Sequence, residues 1–295
     1  MGEAGIYCGG ILYRDQAVIE DLRDSGFTTV IAWPVRVDPA GDLVFDDVPL
    51  VQGGRWVGDT SWPQRLASMK EGGTVNRLLF SVGSAESTDF THIHDLMAGY
   101  GTGASSPLYR SFACLREAVP VIDGIDLDNE DHLDRETIVG FGKMLVELGW
   151  ELTFCPDQNQ EVWLDSLVAL WDWRPGCVAG FNLQCYSGGF GNDPGEWMSA
   201  IARRELPGLD LSRFVQPGLW CVHGTPCAAG EDSRCPDSVR RQLAAWAEGC
   251  GIRGGWLFLL EHLMACASSG ACPAGPMTLA AYAEAIRAGI ERRLH

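Results

Sequence analysis

Four acids crowd one short run, Val121 to Glu130: Asp123, Asp126, Asp128 and Glu130, spaced Asp-x-x-Asp-x-Asp-x-Glu. The residues between them, mostly Val, Ile and Leu, have the character of a buried strand. Side chains two apart on a strand share a face, so Asp126, Asp128 and Glu130 are expected to project together while Ile125 and Leu127 point the other way. Clustered carboxylates cannot all ionise freely, because like charges at close range push at least one pKa upward. A carboxyl that keeps its proton near neutral pH is what general acid catalysis requires. A solvated acidic turn would not alternate its acids with Ile and Leu. A calcium loop of the EF-hand type would need its Gly and its distal Glu at a spacing that this run does not offer.

The elements that must hold such a cluster can be traced along the chain. Strand-like runs fall at Gly5–Tyr13, Thr28–Pro34, Asn76–Gly83, Val121–Glu130, Glu151–Pro156, Val178–Tyr186, Phe214–Val222 and Ile252–Leu260. Amphipathic stretches alternate with them, at Gln16–Asp24, Trp62–Lys70, Arg135–Leu148, Glu161–Trp173, Pro194–Arg204, Pro236–Gly249 and Thr278–Arg293. Asp131 or Asp134 before Glu136, and Asp193 before Pro194, are suitable helix caps, and Gly26, Gly149, Gly176 and Gly249 suit helix ends. Eight alternations predict an α/β fold, a single (β/α)8 TIM barrel spanning 1–295, over an open doubly wound sheet. No Gly-x-Gly-x-x-Gly turn follows the first strand, as a dinucleotide-binding sheet would want. The segment Val35–Val57, with its turn at Asp38–Asp42, predicts a β-hairpin on the rim after the second strand. Barrel sites lie at the C-terminal ends of strands, which is where the acids fall.

Composition narrows the partners. Of 295 residues 46% are hydrophobic, enough for a core, and 39 acidic against 22 basic residues leave a formal charge of −17. That balance argues against nucleic acid or an anionic membrane as partner and suits a neutral substrate. No apolar run reaches the roughly 18 residues of a membrane span. The start, Met-Gly-Glu-Ala-Gly-Ile-Tyr, has no basic region followed by an apolar stretch, so a cytoplasmic location is expected unless the chain is the mature form of a secreted one. The eleven cysteines are scattered, not set in Cys-x-x-Cys pairs, so no zinc ribbon is expected. Cys266 with Cys272, or Cys221 with Cys227, could bridge in an oxidising compartment; in the cytosol they would be buried thiols. His92-x-His94 has no third ligand cluster in view, so no metal is expected there, and Cys221-x-His223 is at most a minor Cys–His pair.

The acidic spacing resembles the signature of glycoside hydrolase family 18, the chitinases and endo-β-N-acetylglucosaminidases, and matches it at all four acidic positions. Strand three, ending Ser81-Val82-Gly83-Ser84, looks like the family's Ser-x-Gly-Gly signature with Ser84 in place of the second Gly. Gln184 and Tyr186, two apart on strand six, resemble the polar residue and tyrosine that face the sugar's N-acetyl group. In strand eight, Gly254 to Leu260, the family's floor tryptophan aligns with Leu259, while Trp256 stands three residues early. Trp220 or Trp33, near other strand ends, would then supply a ring.

The resemblance implies a retaining glycosidase working by substrate assistance, without cofactor or metal and as a monomer, on a glycan or oligosaccharide containing β-linked N-acetylglucosamine. Glu130 would be the general acid and base, Asp128 would orient the acetamido group, Asp126 would couple behind it, and Tyr186 would donate to the acetamido oxygen. Gln184, Trp33, Trp220 and Trp256 would bind substrate, and Asp123, of opposite strand parity, would support from the barrel wall. Two other readings stand beside it: a lectin-like barrel that only binds sugars, and a barrel repurposed for another small molecule.

Overall fold

Runs rich in Val, Ile, Leu and aromatic residues pair side by side until the last meets the first. The structure, a computed structural model, describes residues 2–189, 191–221, 235–269 and 277–291. Its strands in chain order are β1 (Glu3–Cys8), β2 (Thr29–Val37), β3 (Leu43–Phe45), β4 (Val48–Gln52), β5 (Arg55–Trp56), β6 (Arg77–Val82), β7 (Gly124–Leu127), β8 (Glu151–Phe154), β9 (Val178–Gln184), β10 (Val215–Trp220) and β11 (Gly254–Phe258). The strands β1, β2, β6, β7, β8, β9, β10 and β11 pair in parallel in that order, and β11 returns to β1. The result is a (β/α)8 barrel, as the alternation predicts.

Helices cover the outside. Gln16–Asp24, Arg135–Glu147, Gln160–Trp173, Pro194–Ala202, Pro236–Cys250 and Leu279–Ile290 lie close to their expected bounds. The Asp134 carboxylate accepts from Thr137 N–H at 2.8 Å, and Asp193 accepts from Gly195 and Glu196 N–H, so both expected caps form. Between β6 and β7 run two helices that the sequence pattern left open, Asp89–Tyr100 and Pro107–Ala118. No helix among the described residues is long and apolar enough to cross a membrane.

The rim hairpin forms as expected and continues further: the turn Asp38–Asp42 folds β3 back on the far end of β2, and β4 and β5 extend the antiparallel ribbon. The bounds of the first strand need correcting. The first strand stops at Cys8 instead of reaching Tyr13. There the Glu261 carboxylate accepts from Gly9 N–H at 3.0 Å and Ile11 N–H at 3.4 Å, and the chain turns into a short helix, Ile11–Arg14. Of the proposed cysteine bridges, Cys221 is a buried free thiol, which removes its pairing with Cys227. Cys227, Cys272 and His223 lie outside the described residues.

Alternation divides the apolar residues into two cores. Ile6, Val30, Phe80, Ile125, Leu152 and Phe181 face outward and pack under the helices. Tyr7, Ile31, Leu79, Cys155, Tyr186, Trp256 and Leu259 face inward and fill the barrel. Gly218 makes room for the largest of them, since a Cβ there would lie 2.2 Å from the Trp256 ring. The Trp256 indole N–H donates to the Gln216 carbonyl at 2.9 Å, so this buried ring is satisfied as well as packed.

Candidate active site

Asp126 lies on β7 with its side chain inside the barrel and fully buried. Four donors converge on its carboxylate: the Tyr7 hydroxyl at 2.7 Å, Ser81 at 2.9 Å, Thr153 at 2.6 Å and the Asn182 amide at 2.8 Å. They come from β1, β6, β8 and β9, so this one side chain ties together four other strands. With every acceptor position engaged, Asp126 is fixed in place and has none left to offer a ligand.

One layer higher stands Asp128, just past the end of β7 and 5% exposed. The Trp33 indole N–H donates to one of its oxygens and the Gln184 amide to the other, both at 3.0 Å. The same Gln184 nitrogen donates to Glu130 at 3.1 Å, so a single amide bridges the two carboxyls. Burial, followed by the charges of Glu130 and Asp126, holds the Asp128 carboxyl well above the usual carboxylate range. Burial also raises Glu130; the Gln184 hydrogen bond opposes that shift and the charge of Asp157 adds to it. These are the conditions under which a carboxyl keeps a proton to give.

The acid loop depends on a close approach. Gly83 follows β6 at φ 99°, and a Cβ there would lie 2.3 Å from the Asp128 carbonyl oxygen. Gly83→Ala is therefore expected to destabilise the protein by more than about 1 kcal/mol and to displace the acids, since both the backbone conformation and the contact oppose a side chain. Thermal unfolding checks it: a midpoint equal to the parent's would mean that the loop yields freely. Ser84, which replaces the second Gly of the signature, is buried and tied to the Arg36 guanidinium at 2.7 Å.

Aromatic rings wall the mouth. Tyr186 is buried beside Phe258, with ring centroids 5.7 Å apart and planes 20° from parallel. Burial pushes its hydroxyl well above the ordinary value, so it remains a donor. Among the described residues that hydroxyl has no hydrogen-bond partner. Trp33 meets Phe258 edge-on at 5.0 Å, and Trp220 lies 5.8 Å from Tyr186 while its indole donates to His262 Nδ1 at 3.0 Å. A cavity of about 420 Å³ opens beside Trp33, lined also by Gly9, Ile11, Leu259 and Glu261.

The expected site residues thus separate. Glu130, Asp128, Asp126, Gln184, Tyr186 and Trp33 come together, and Trp220 joins the rim. Trp256 does not reach the mouth: it is 1% exposed and packs against Tyr7 below the acids. Asp123 is displaced to the opposite end of the barrel, where it accepts from Lys70 at 2.6 Å and from Leu78 N–H at 2.7 Å, too far down to meet a substrate. The ring at the end of β11 is Phe258, one residue before the expected Leu259. Sequence alone did not single out Tyr7, Asn182, Asp157 or Phe258. Asn182 carried a signal, because it stands two before Gln184 and so shares its face.

No protein-family model matches the sequence, and no curated protein matches it. Solved structures do match at the level of the fold. The catalytic domain of a family GH18 chitinase from the fern Peteris ryukyuensis aligns at 16% identity over 97% of this chain and 98% of its own, with a TM-score of 0.56. A chitinase from Bacteroides thetaiotaomicron aligns at 14% identity over 89% and 90%, TM-score 0.57. The xylanase and alpha-amylase inhibitor protein XAIP-II from Scadoxus multiflorus also aligns, at 15% identity over 90% and 95%, TM-score 0.52. This chain therefore has a GH18-like barrel fold, one shared by hydrolases and by a protein named for inhibition.

Proposed function

We propose that the protein is a retaining glycoside hydrolase that cleaves glycans containing β-linked N-acetylglucosamine by substrate assistance. The observation that carries this reading is the buried pair Asp128 and Glu130, bridged by Gln184 at the C-terminal mouth of a GH18-like barrel. Glu130 gives its proton to the glycosidic oxygen as that bond breaks. The sugar's own acetamido oxygen attacks the anomeric carbon, forming an oxazolinium ion, while Asp128 orients the acetamido N–H and balances the developing charge. The free Tyr186 hydroxyl donates to the acetamido oxygen. Water then adds at the anomeric carbon, and Glu130 takes back its proton as general base. Asp126 holds the acid strand in register beneath them, and Phe258 offers an apolar ring to the sugar face. The cavity beside Trp33 is of a size to take an adjoining sugar.

Release of 4-methylumbelliferone from its N-acetyl-chitooligosaccharide conjugates tests the proposal directly. Parental turnover supports it, and binding of the same oligosaccharides without turnover favours the second reading, a sugar-binding barrel.

As general acid, Glu130 sets the alkaline limb of the pH profile. Its pKa is raised, so the protonated form persists above the ordinary glutamate range and kcat/KM declines as pH rises through that raised value. Asp157 contributes to the elevation through its negative charge. Asp157→Asn removes that charge, so the alkaline limb of kcat/KM should move to lower pH; a limb that stays put, or moves up, would assign it to another group.

A further inference from the structure

Beside the acid loop, His94 reaches across from a helix distant in sequence to meet His132 and Asp134, three side chains of metal-ligating type. His94 lies on the helix Asp89–Tyr100, His132 in the loop after Glu130, and Asp134 at the cap of the helix Arg135–Glu147. The two imidazole rings lie with centroids 4.5 Å apart, tilted by 46°. One ligand atom from each of the three residues lies within 4.8 Å of the others.

Hydrogen bonds fix which atoms are available. The Thr137 hydroxyl donates to Asp134 Oδ2 at 2.7 Å, so its oxygen is the acceptor toward His94 Nδ1, 3.0 Å away. His94 therefore carries its proton on Nδ1, leaving the Nε2 lone pair bare. His132 Nε2 is enclosed with no hydrogen-bond partner, an orphan that a buried polar atom rarely remains. Asp134 spends Oδ2 on Thr137. The pattern, an imidazole oriented through a hydroxyl to a carboxylate, is the kind that supports a bound metal ion from its second layer of contacts.

We propose that His94, His132 and Asp134 bind a divalent transition-metal ion, with zinc the best match. Two imidazoles and a carboxylate suit zinc and disfavour calcium or magnesium, which prefer all-oxygen sites. Ligand atoms around tetrahedral zinc stand about 3.3 Å apart at bond lengths near 2.0–2.1 Å, so small rotations of the two rings close the set around the ion and leave one position for water. The ion clips the loop to the neighbouring helix. The clip reaches the loop's backbone near Glu130, because the Asn129 side chain already exchanges hydrogen bonds with the His132 backbone at 2.8 and 3.2 Å.

The test uses the full chain stripped with EDTA and titrated with Zn²⁺ by calorimetry, beside His132→Phe, which keeps ring bulk, and Asp134→Asn, which keeps a helix-capping side chain. The cysteines can bind zinc on their own, so the readout is the difference between proteins. The parent should bind one equivalent more than His132→Phe, and Asp134→Asn should bind that equivalent at least about tenfold more weakly. Zinc should raise the unfolding midpoint of the parent and not that of His132→Phe, while the two stripped proteins show matching circular dichroism. Equal stoichiometry and equal midpoint shifts in all three, or no binding by the parent, would overturn the proposal.

Discussion

Glu130→Gln is expected to cut turnover of N-acetyl-chitooligosaccharides by a factor of roughly 10²–10⁴, the usual worth of a positioned general acid. The substitution is nearly isosteric. Its amide oxygen can still accept from Gln184 Nε2, which now reaches Glu130 at 3.1 Å, so the loop has no reason to move. What the amide lacks is a proton to give to the glycosidic oxygen and, afterwards, a carboxylate to receive one from water. Unfolding midpoint and oligosaccharide affinity should stay near parental values while kcat collapses. If the variant turned over at the parental rate, Glu130 would not be the acid, and Asp128 or Asp157 would be the next carboxyl to examine.

The second large effect is on stability. Asp126→Ala removes the one acceptor shared by Tyr7, Ser81, Thr153 and Asn182, which reach it from four strands. Each buried donor left without a partner costs about 1–3 kcal/mol, although hydroxyls that rotate or a water that enters recover part of it. A net loss of at least about 3 kcal/mol is expected, a sizeable share of the 5–15 kcal/mol that holds a typical protein folded. Urea unfolding followed by tryptophan fluorescence measures it. Asp126→Asn, which retains an acceptor oxygen but turns an NH₂ toward donors, should fall between the two. An Asp126→Ala midpoint within error of the parent's would mean that the network contributes nothing net.

The barrel was legible because its signals are local. Strand parity separates Asp126 from Ile125 and Leu127, and the structure sends the first inward and the other two under the helices. What was not legible depends on contacts between distant residues. Nothing near Gly9 announces that Glu261 will take its N–H and end the strand. Asp89–Tyr100 has two histidines and an uneven apolar spacing, so its helical period was weak until β2 and the neighbouring helices packed against it. At the end of β11 the aromatic ring is Phe258, and Leu259, one residue past the strand, also faces the barrel interior, so the spacing alone did not separate the two. Asp123 stands apart from the other acids for a plainer reason. The acidic run is longer than the strand it contains, so its two ends belong to opposite ends of the barrel.

The buried ring of Trp256, resting against Tyr7, plugs the barrel beneath the carboxyls. Traffic to and from the acids is confined to one doorway as a result. On the proposed function, the departing half of a cleaved chain and the water that replaces it use the same opening. On that same reading, an alcohol that reaches the doorway before water becomes an acceptor in its place.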